Sequence, residues 1–510
     1  MHTASLLTLA LACLASVVDA TAAGPVPGRR ANLRTLLTDR SLGLDSDTTL
    51  SFPDGLSALG FEAATIRWSM FNPPTYSAAV TPATIEDVAT IVRVARENNI
   101  PFLATGGRHG YSSTLARMTD GLAIDLSALD GVVVNQAQRT LTVGPGVVFG
   151  DIFQPLYEAG LQIQTGVCSC PSMIGVTLGS GVGRLEGIYG LVADALASVR
   201  MVTAEGRIVD VSPTRNPELW WGLRGAGANF GIVVSATYRV QPLYRDGQFT
   251  VLDFILPPQA NQSYFAFLEE LAGGDGGGAM PRDLSVSSVM HWNQTSQQPQ
   301  IMANWVYNGP EDEARRALAP MFRLPSLVTA VTQVPWSQLV ATSVFGLDPL
   351  VCVEGQHITV LGANLLRVEA STFSDLFDSL VTYFQQYPDA GGSTLTIETF
   401  PTQGTESYPD DSSAYPWRSV KSLVMFQPVS NGPSKQQAFD WMHSARARLA
   451  TRSGYTGYDG LRTYVNYAQG TEQLEQIYGA DKLPRLAALK RKWDPSNVFR
   501  YMNPLPTQYP

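Results

Sequence analysis

Apolar and polar positions along the chain follow two rhythms, one of three and four residues and one of two. The first clear helical rhythm opens at Thr84, a good N-cap, and runs through Ile85, Val88, Ala89, Val92 and Ala95 on one face. Asn98-Asn99 ends it, and IPFLAT at 100–105 reads as a short apolar strand. LAIDLS at 122–127 reads as another strand, VVVNQAQRTLTV at 132–143 as a hairpin turning on Asn/Gln, and VFGDIFQPLYEAG at 148–160 as a helix. Strands alternating with helices, interrupted by antiparallel hairpins, predict an α+β fold rather than a doubly wound sheet.

The texture changes near Leu243. GQFTVLDFIL, LSVSSVMHW, PQIMANWVY, HITVLGANLL and SLVMFQPV read as strands, with amphipathic helices near 311–323, 371–387 and 435–450. This predicts a central domain in which helices flank an antiparallel sheet. The expected division is a signal peptide at 1–20, a leader at 21–71, a cofactor domain at 72–243, a substrate domain at 244–450, and a segment at 451–510 that returns to complete the cofactor domain.

Composition narrows the class. The chain has 510 residues, 45% hydrophobic and 15% charged, as in a packed globule, and is long enough for more than one core. Its formal net charge of −9 argues against nucleic acid or an anionic membrane as the main partner and favours a small organic substrate. The apolar run from about Leu6 to Val18 is too short to span a bilayer and ends at Val18-Asp19-Ala20, close to a signal-peptidase pattern, so a secreted protein is expected. Sequons at Asn261 and Asn293 are compatible with export. Beyond Cys13, the mature chain keeps Cys168, Cys170 and Cys352, an odd set that does not read as a disulfide framework. No Cys-x-x-Cys or paired-histidine spacing suggests a metal site.

Glycine carries the chemistry. Clusters lie at 106–110 (GGRHG), 165–184 (TGVCSCPSMIGVTLGSGVGR) and 221–233 (WGLRGAGANFGIV), and YVNYAQG follows at 464–470. Glycine turns with positive φ and brings bare N–H groups close to a ligand, so three such clusters imply a large anionic cofactor. Gly225, Gly227 and Gly231 have one residue too many for the G-x-G-x-x-G of a nicotinamide fold, and no ATP-binding P-loop is present.

These motifs, in this order, resemble the berberine bridge enzyme-like flavin oxidases of the vanillyl-alcohol oxidase (PCMH) type, the fungal secreted members most closely. The likeness runs from about Asn72 to Val240 and returns at 462–504, with YVNYAQG and LKRKWDPSNVFRYMNPL. It implies a two-part FAD-binding domain and a covalent flavin. The loop Thr105, Gly106, Gly107, Arg108, His109, Gly110, Ser112 and Ser113 falls on the family's histidine loop, making His109 the flavin-linked residue. An imidazole bonded to the ring withdraws electrons and raises the reduction potential. The family's second, cysteinyl linkage falls on Cys168 by count, with Cys170 as the alternative and neither as a third reading. Gly175, Gly179, Ser180 and Gly183 complete the cofactor segment, Ser180 replacing a family glycine. Gly231 and Val233 fall on the adenine side.

The family's activity would be hydride transfer from an alcohol or phenol to the flavin, with reoxidation by O₂ to H₂O₂. The resemblance puts the base at a tyrosine. Tyr464 ranks before Tyr467, Asn466 contacts the flavin and Gln427 binds substrate. Strand alternation would put Tyr464 and Asn466 on one face and Tyr467 on the other. A secondary-metabolite oxidase is the expectation, and the chain is read as a monomer. A carbohydrate oxidase, a nicotinamide dehydrogenase and a non-catalytic secreted flavoprotein are the alternatives.

Overall fold

The computed structural model describes residues 33–273, 280–430, 432–451 and 456–509; the expected signal peptide lies outside them. The first sheet has the order β1-β2-β4-β3, from β1 (Thr49–Ser51), β2 (Tyr76–Thr81), β3 (Phe102–Thr105) and β4 (Gly121–Asp125). Three of these strands run parallel, and β1 joins antiparallel to β2. Parallel strands need crossovers, and the helix Ile85–Glu97 carries the chain from β2 past the position of β4 to β3. Its cap forms as read, with Thr84 Oγ1 accepting from Asp87 N at 3.1 Å. Val88, Ile91 and Val92 on its inner face are at most 1% exposed, each contributing about 1.5–3 kcal/mol by burial.

Within 33–71, β1 extends the first sheet, and Arg67 and Trp68 reach the glycine loop at 106–110. Nothing local in that stretch distinguishes an edge strand from a leader.

The second sheet, β5-β6-β10-β8-β9, is antiparallel: β5 (Val132–Asn135), β6 (Thr140–Val143), β8 (Leu196–Val202), β9 (Ile208–Val211) and β10 (Ile232–Arg239). A short ribbon pairs β7 (Leu161–Gln162) with β11 (Gln241–Pro242).

The third sheet contains β12 (Gln248–Leu256), β13 (Leu284–Asn293), β14 (Gln298–Tyr307), β15 (Val328–Pro335), β16 (Leu361–Leu365), β17 (Thr394–Thr399) and β18 (Ser422–Gln427). Its order is β15-β12-β14-β13-β17-β18-β16, with every pairing antiparallel. The alternation of its strands is strict. Leu252, Phe254, Val286, Met290, Ile301, Trp305, Ile397, Val424 and Phe426 share one sealed face, packed with helices Asn261–Ala272, Ala370–Gln386 and Lys435–Thr451. The other face carries Asp253, Asn304, Ser287 and Glu398 and turns toward the glycine-rich segments. β15 and β17 were not anticipated from the sequence: β15 is a mostly exposed edge, and β17 is a six-residue Thr-rich run.

Two expectations drawn from single residues change. Asn261 of the first sequon is 4% exposed, and its Nδ2 donates to Asp378 Oδ1 at 3.2 Å, so a glycan there would have to enter the core. Cys170 and Cys352 form a disulfide across 182 residues. No local spacing announces such a bond, which is why an odd cysteine count did not read as a framework. Among the described residues, no helix is long and apolar enough to cross a membrane.

Candidate active site

β3 delivers the histidine loop. Thr105, its last residue, pairs with Asp125 at the end of β4, and the chain then turns through two glycines. A Cβ on Gly106 would lie 2.2 Å from Pro145 O, and one on Gly107 would lie 2.7 Å from Ser172 N. Both positions are therefore closed to any other residue. Arg108 adopts φ 54° and donates to Asp125 at 2.9 Å, with Glu354 at 3.5 Å. His109 stacks on Trp68 at 5.5 Å and 21°, while Arg67 donates to Gly110 O at 2.8 Å. Burial, then the charges of Arg67 and Arg108, pull the imidazole pKa down to about 4. At neutral pH His109 is uncharged and keeps a nucleophilic lone pair.

The rest of the loop is tied to the far end of the chain. Tyr111 donates its hydroxyl to Asn466 O at 2.6 Å, Ser112 to Asn503 Oδ1 at 2.8 Å, and Ser113 N to Gln469 O at 2.7 Å. Residues more than 350 positions apart thus share one wall.

The second glycine segment runs alongside. Because Cys170 is bonded to Cys352, Cys168 is the free thiol among the described residues. Burial, reinforced by Asp348 and Glu398, pushes its pKa up to about 12. Ser172 caps the helix Met173–Leu178 by accepting from Gly175 N at 3.4 Å. A Cβ on Gly179 would lie 2.1 Å from Asn466 Oδ1, and one on Gly183 would lie 2.0 Å from Thr165 O. Ser180 takes φ 93°, a conformation suited to the glycine it replaces. Farther off, Gly231 and Val233 lie at the start of β10, where a Cβ on Gly231 would meet Val202 O at 2.6 Å and Val233 packs into the core.

The C-terminal motif departs from the strand expectation. Val465–Tyr467 is a 3₁₀ turn closed by Tyr467 N donating to Tyr464 O at 2.8 Å, and in such a turn positions three apart eclipse. Tyr464 and Tyr467 therefore stack edge to face at 5.0 Å rather than lying on opposite sides. Tyr464 is 1% exposed, and its oxygen accepts from Gly181 N at 3.0 Å and Asn466 Nδ2 at 2.6 Å. Tyr467 instead donates its hydroxyl to Glu398 Oε2 at 2.9 Å.

Glu398 was not foreseen, because its strand was not. The signal lay in TLTIET, where Thr394, Thr396 and Glu398 alternate with Leu395 and Ile397. Burial raises its pKa to about 7, against the Tyr467 hydrogen bond and the Arg184 charge. Next to it in register, a buried polar chain runs from Arg184 to Asn304 Oδ1, and from Asn304 Nδ2 to Asp253 Oδ1 at 2.6 Å. Asp253 also accepts from Phe345 N at 3.0 Å, fastening a turn in which Val344 and Phe345 both take φ 55°. Gln427 lies on the same sheet face, its Oε1 accepting from Thr394 and Thr396 at 2.9 and 3.1 Å.

These residues fit a flavin dinucleotide. The glycines at 106, 107, 179 and 183 let the loop segments of this wall pack closely on one another, and Arg108 Nε, Gln164 Nε2, Ser180 Oγ and Arg184 Nη1 are buried without a hydrogen-bond partner. Unpaired donors in a buried wall suit an anionic, acceptor-rich ligand.

Comparison with known proteins agrees. Residues 76–212 match the family model described as FAD binding domain, and residues 463–506 match berberine and berberine like. The chain is 42% identical over 515 residues to the FAD-linked oxidoreductase srdI of Neurospora crassa, covering 100% of both chains. It is 41% identical to the FAD-linked oxidoreductase fogF of Aspergillus ruber, covering 94% of this chain and 95% of that one. Among solved structures, a chitooligosaccharide oxidase superposes with a TM-score of 0.75 at 21% identity over 93% of this chain and 99% of its own, which speaks to the fold alone. With the glycine cradle, the histidine loop and the C-terminal motif converging on one wall, the chain belongs to the berberine bridge enzyme-like FAD-linked oxidoreductases.

Proposed function

We propose that this protein is a secreted oxidase of an alcohol or phenolic secondary metabolite, carrying FAD bonded to His109 and using Glu398 as the base that takes the substrate's hydroxyl proton. The observation that carries the reading is the buried Glu398–Tyr467 hydrogen bond beside the flavin-fitting wall. When bound, FAD would supply the acceptor for the hydride leaving the substrate carbon, with O₂ as the terminal oxidant giving H₂O₂.

The protein's own part is proton handling and positioning. Glu398 must be ionised to accept a proton, and its raised pKa makes it a stronger base than an ordinary carboxylate without leaving it fully protonated at neutral pH. Tyr467 orients the carboxylate through its hydroxyl. Tyr464, fastened to Gly181 and Asn466, holds the cofactor segment, so this geometry favours Tyr467 over Tyr464 for contact with the substrate. Arg184 keeps positive charge next to the site. His109, neutral and stacked on Trp68, is ready to bond the flavin ring, whereas Cys168 needs a base before it can add as a second link. The Cys170–Cys352 disulfide supports export, since such bonds persist in oxidising compartments.

The test uses purified protein. Yellow colour that stays with the acid-denatured chain, and is lost in His109→Ala, is the expected result. Peroxide release across alcohols, phenols and oligosaccharides then fixes the substrate class. A colourless wild-type chain, or full activity in Glu398→Gln, would overturn the reading.

A further inference from the structure

Register in the third sheet sorts its site-facing side chains into three rows. The inner row holds Asp253, Asn304, Ser287, Glu398 and Leu423; the middle row Ile255, Met302, Val289, Thr396 and Met425; the outer row Gln300, His291, Thr394 and Gln427. Strand rise puts the outer row about 13 Å from the inner one, beside the exposed turn 294–297. The middle row is almost wholly apolar. The outer row is polar, and one member stands out: His291 is 5% exposed, with neither ring nitrogen hydrogen-bonded.

A buried histidine without partners is costly in a finished core. The helix-facing side of this sheet is packed shut, whereas Val289, Thr394 and Gln427 around His291 are only half-buried, so the outer row is partly accessible from the site side. Burial holds His291 neutral against a main-chain contact with Trp292 that is too poorly aligned to count as a hydrogen bond, so the ring offers one donor and one acceptor. Gln427 presents its carbonyl oxygen to Thr394 and Thr396, leaving its amide N–H groups as donors.

The geometry points to a distal subsite, His291 with Gln427, that binds a neutral oxygen function at the far end of an elongated, amphipathic alcohol or phenol whose reacting hydroxyl lies at Glu398. This rests on Glu398 marking the reacting end. An apolar middle row suits a ring or hydrocarbon span and disfavours an oligosaccharide, whose hydroxyls would face Ile255, Met302 and Val289 unpaired.

Two probes on the flavin-loaded enzyme test it: 4'-hydroxybiphenyl-4-methanol, and biphenyl-4-methanol, which lacks the far hydroxyl. Binding is read from the flavin absorbance change and turnover from O₂ consumption. The wild type is expected to favour the hydroxylated probe about tenfold in KM. That ratio falls to near one in His291→Ala and in Gln427→Leu, and recovers in part in His291→Asn, which keeps a donor. Wild type that ignores the far hydroxyl, binds neither probe, or keeps its preference in both folded variants overturns the subsite. Glu398→Gln separates the two ideas: if it retains full turnover the base assignment fails, whatever the probe ratio does.

Discussion

Glu398 is held between two opposing influences, burial that favours its acid form and a phenol and guanidinium that favour its anion. Activity is therefore expected to rise with pH through about 7 as the carboxylate ionises. Glu398→Gln should lower kcat by about 10²-fold or more and flatten that limb of the pH profile, measured by O₂ consumption. Tyr467→Phe removes the hydrogen bond that lowers the Glu398 pKa, so the same limb should move to higher pH while the flavin stays bound. His109 was legible in the sequence because a histidine among glycines is rare and its neighbours were quoted intact by the family motif. Glu398 was not legible, since a lone acidic residue in an unremarked Thr-rich stretch gains meaning only from what the fold brings against it.

At the level of elements, the loops that build the site are held by long-range ties. The disulfide joins the segment beside Cys168 to the loop that Trp68 Nε1 reaches at Val351 O, 2.7 Å away. Cys352→Ser is expected to cost about 2–5 kcal/mol, read as a lowered denaturant midpoint. Gly107→Ala should be worse for the cofactor than for the fold: its methyl would meet the Ser172 main chain, displacing the histidine loop, and flavin incorporation should drop in the purified protein. Helix and strand positions were largely readable, as in the Thr84 cap and the β5–β6 hairpin. The Tyr464–Tyr467 turn was not, because a four-residue motif carries no periodicity and its conformation is set by the partners it reaches.

For the whole molecule, the ionisation of buried groups sets a pH window. His291 has a folded pKa of about 4, below the ordinary 6.5, so the unfolded chain binds more protons between those values. Its contribution to stability is complete above pH 6.5 and is lost as pH falls toward 4. Glu398, raised to about 7, works in the opposite sense, its contribution present below its ordinary 4.5 and lost as pH rises through 7. As pH falls below 6.5, the melting temperature of His291→Asn should therefore drop less than that of the wild type. The sequence by itself determined the fold class, from apolar rhythm that is local and legible along the chain, and the flavin cofactor, from glycine-rich motifs whose order carries the family resemblance. Tertiary structure alone decided the Cys170–Cys352 bond, the Glu398–Tyr467 pair and the three rows of the third sheet. Each depends on residues tens to hundreds of positions apart meeting at hydrogen-bonding or bonding distance, and only the completed packing fixes those distances.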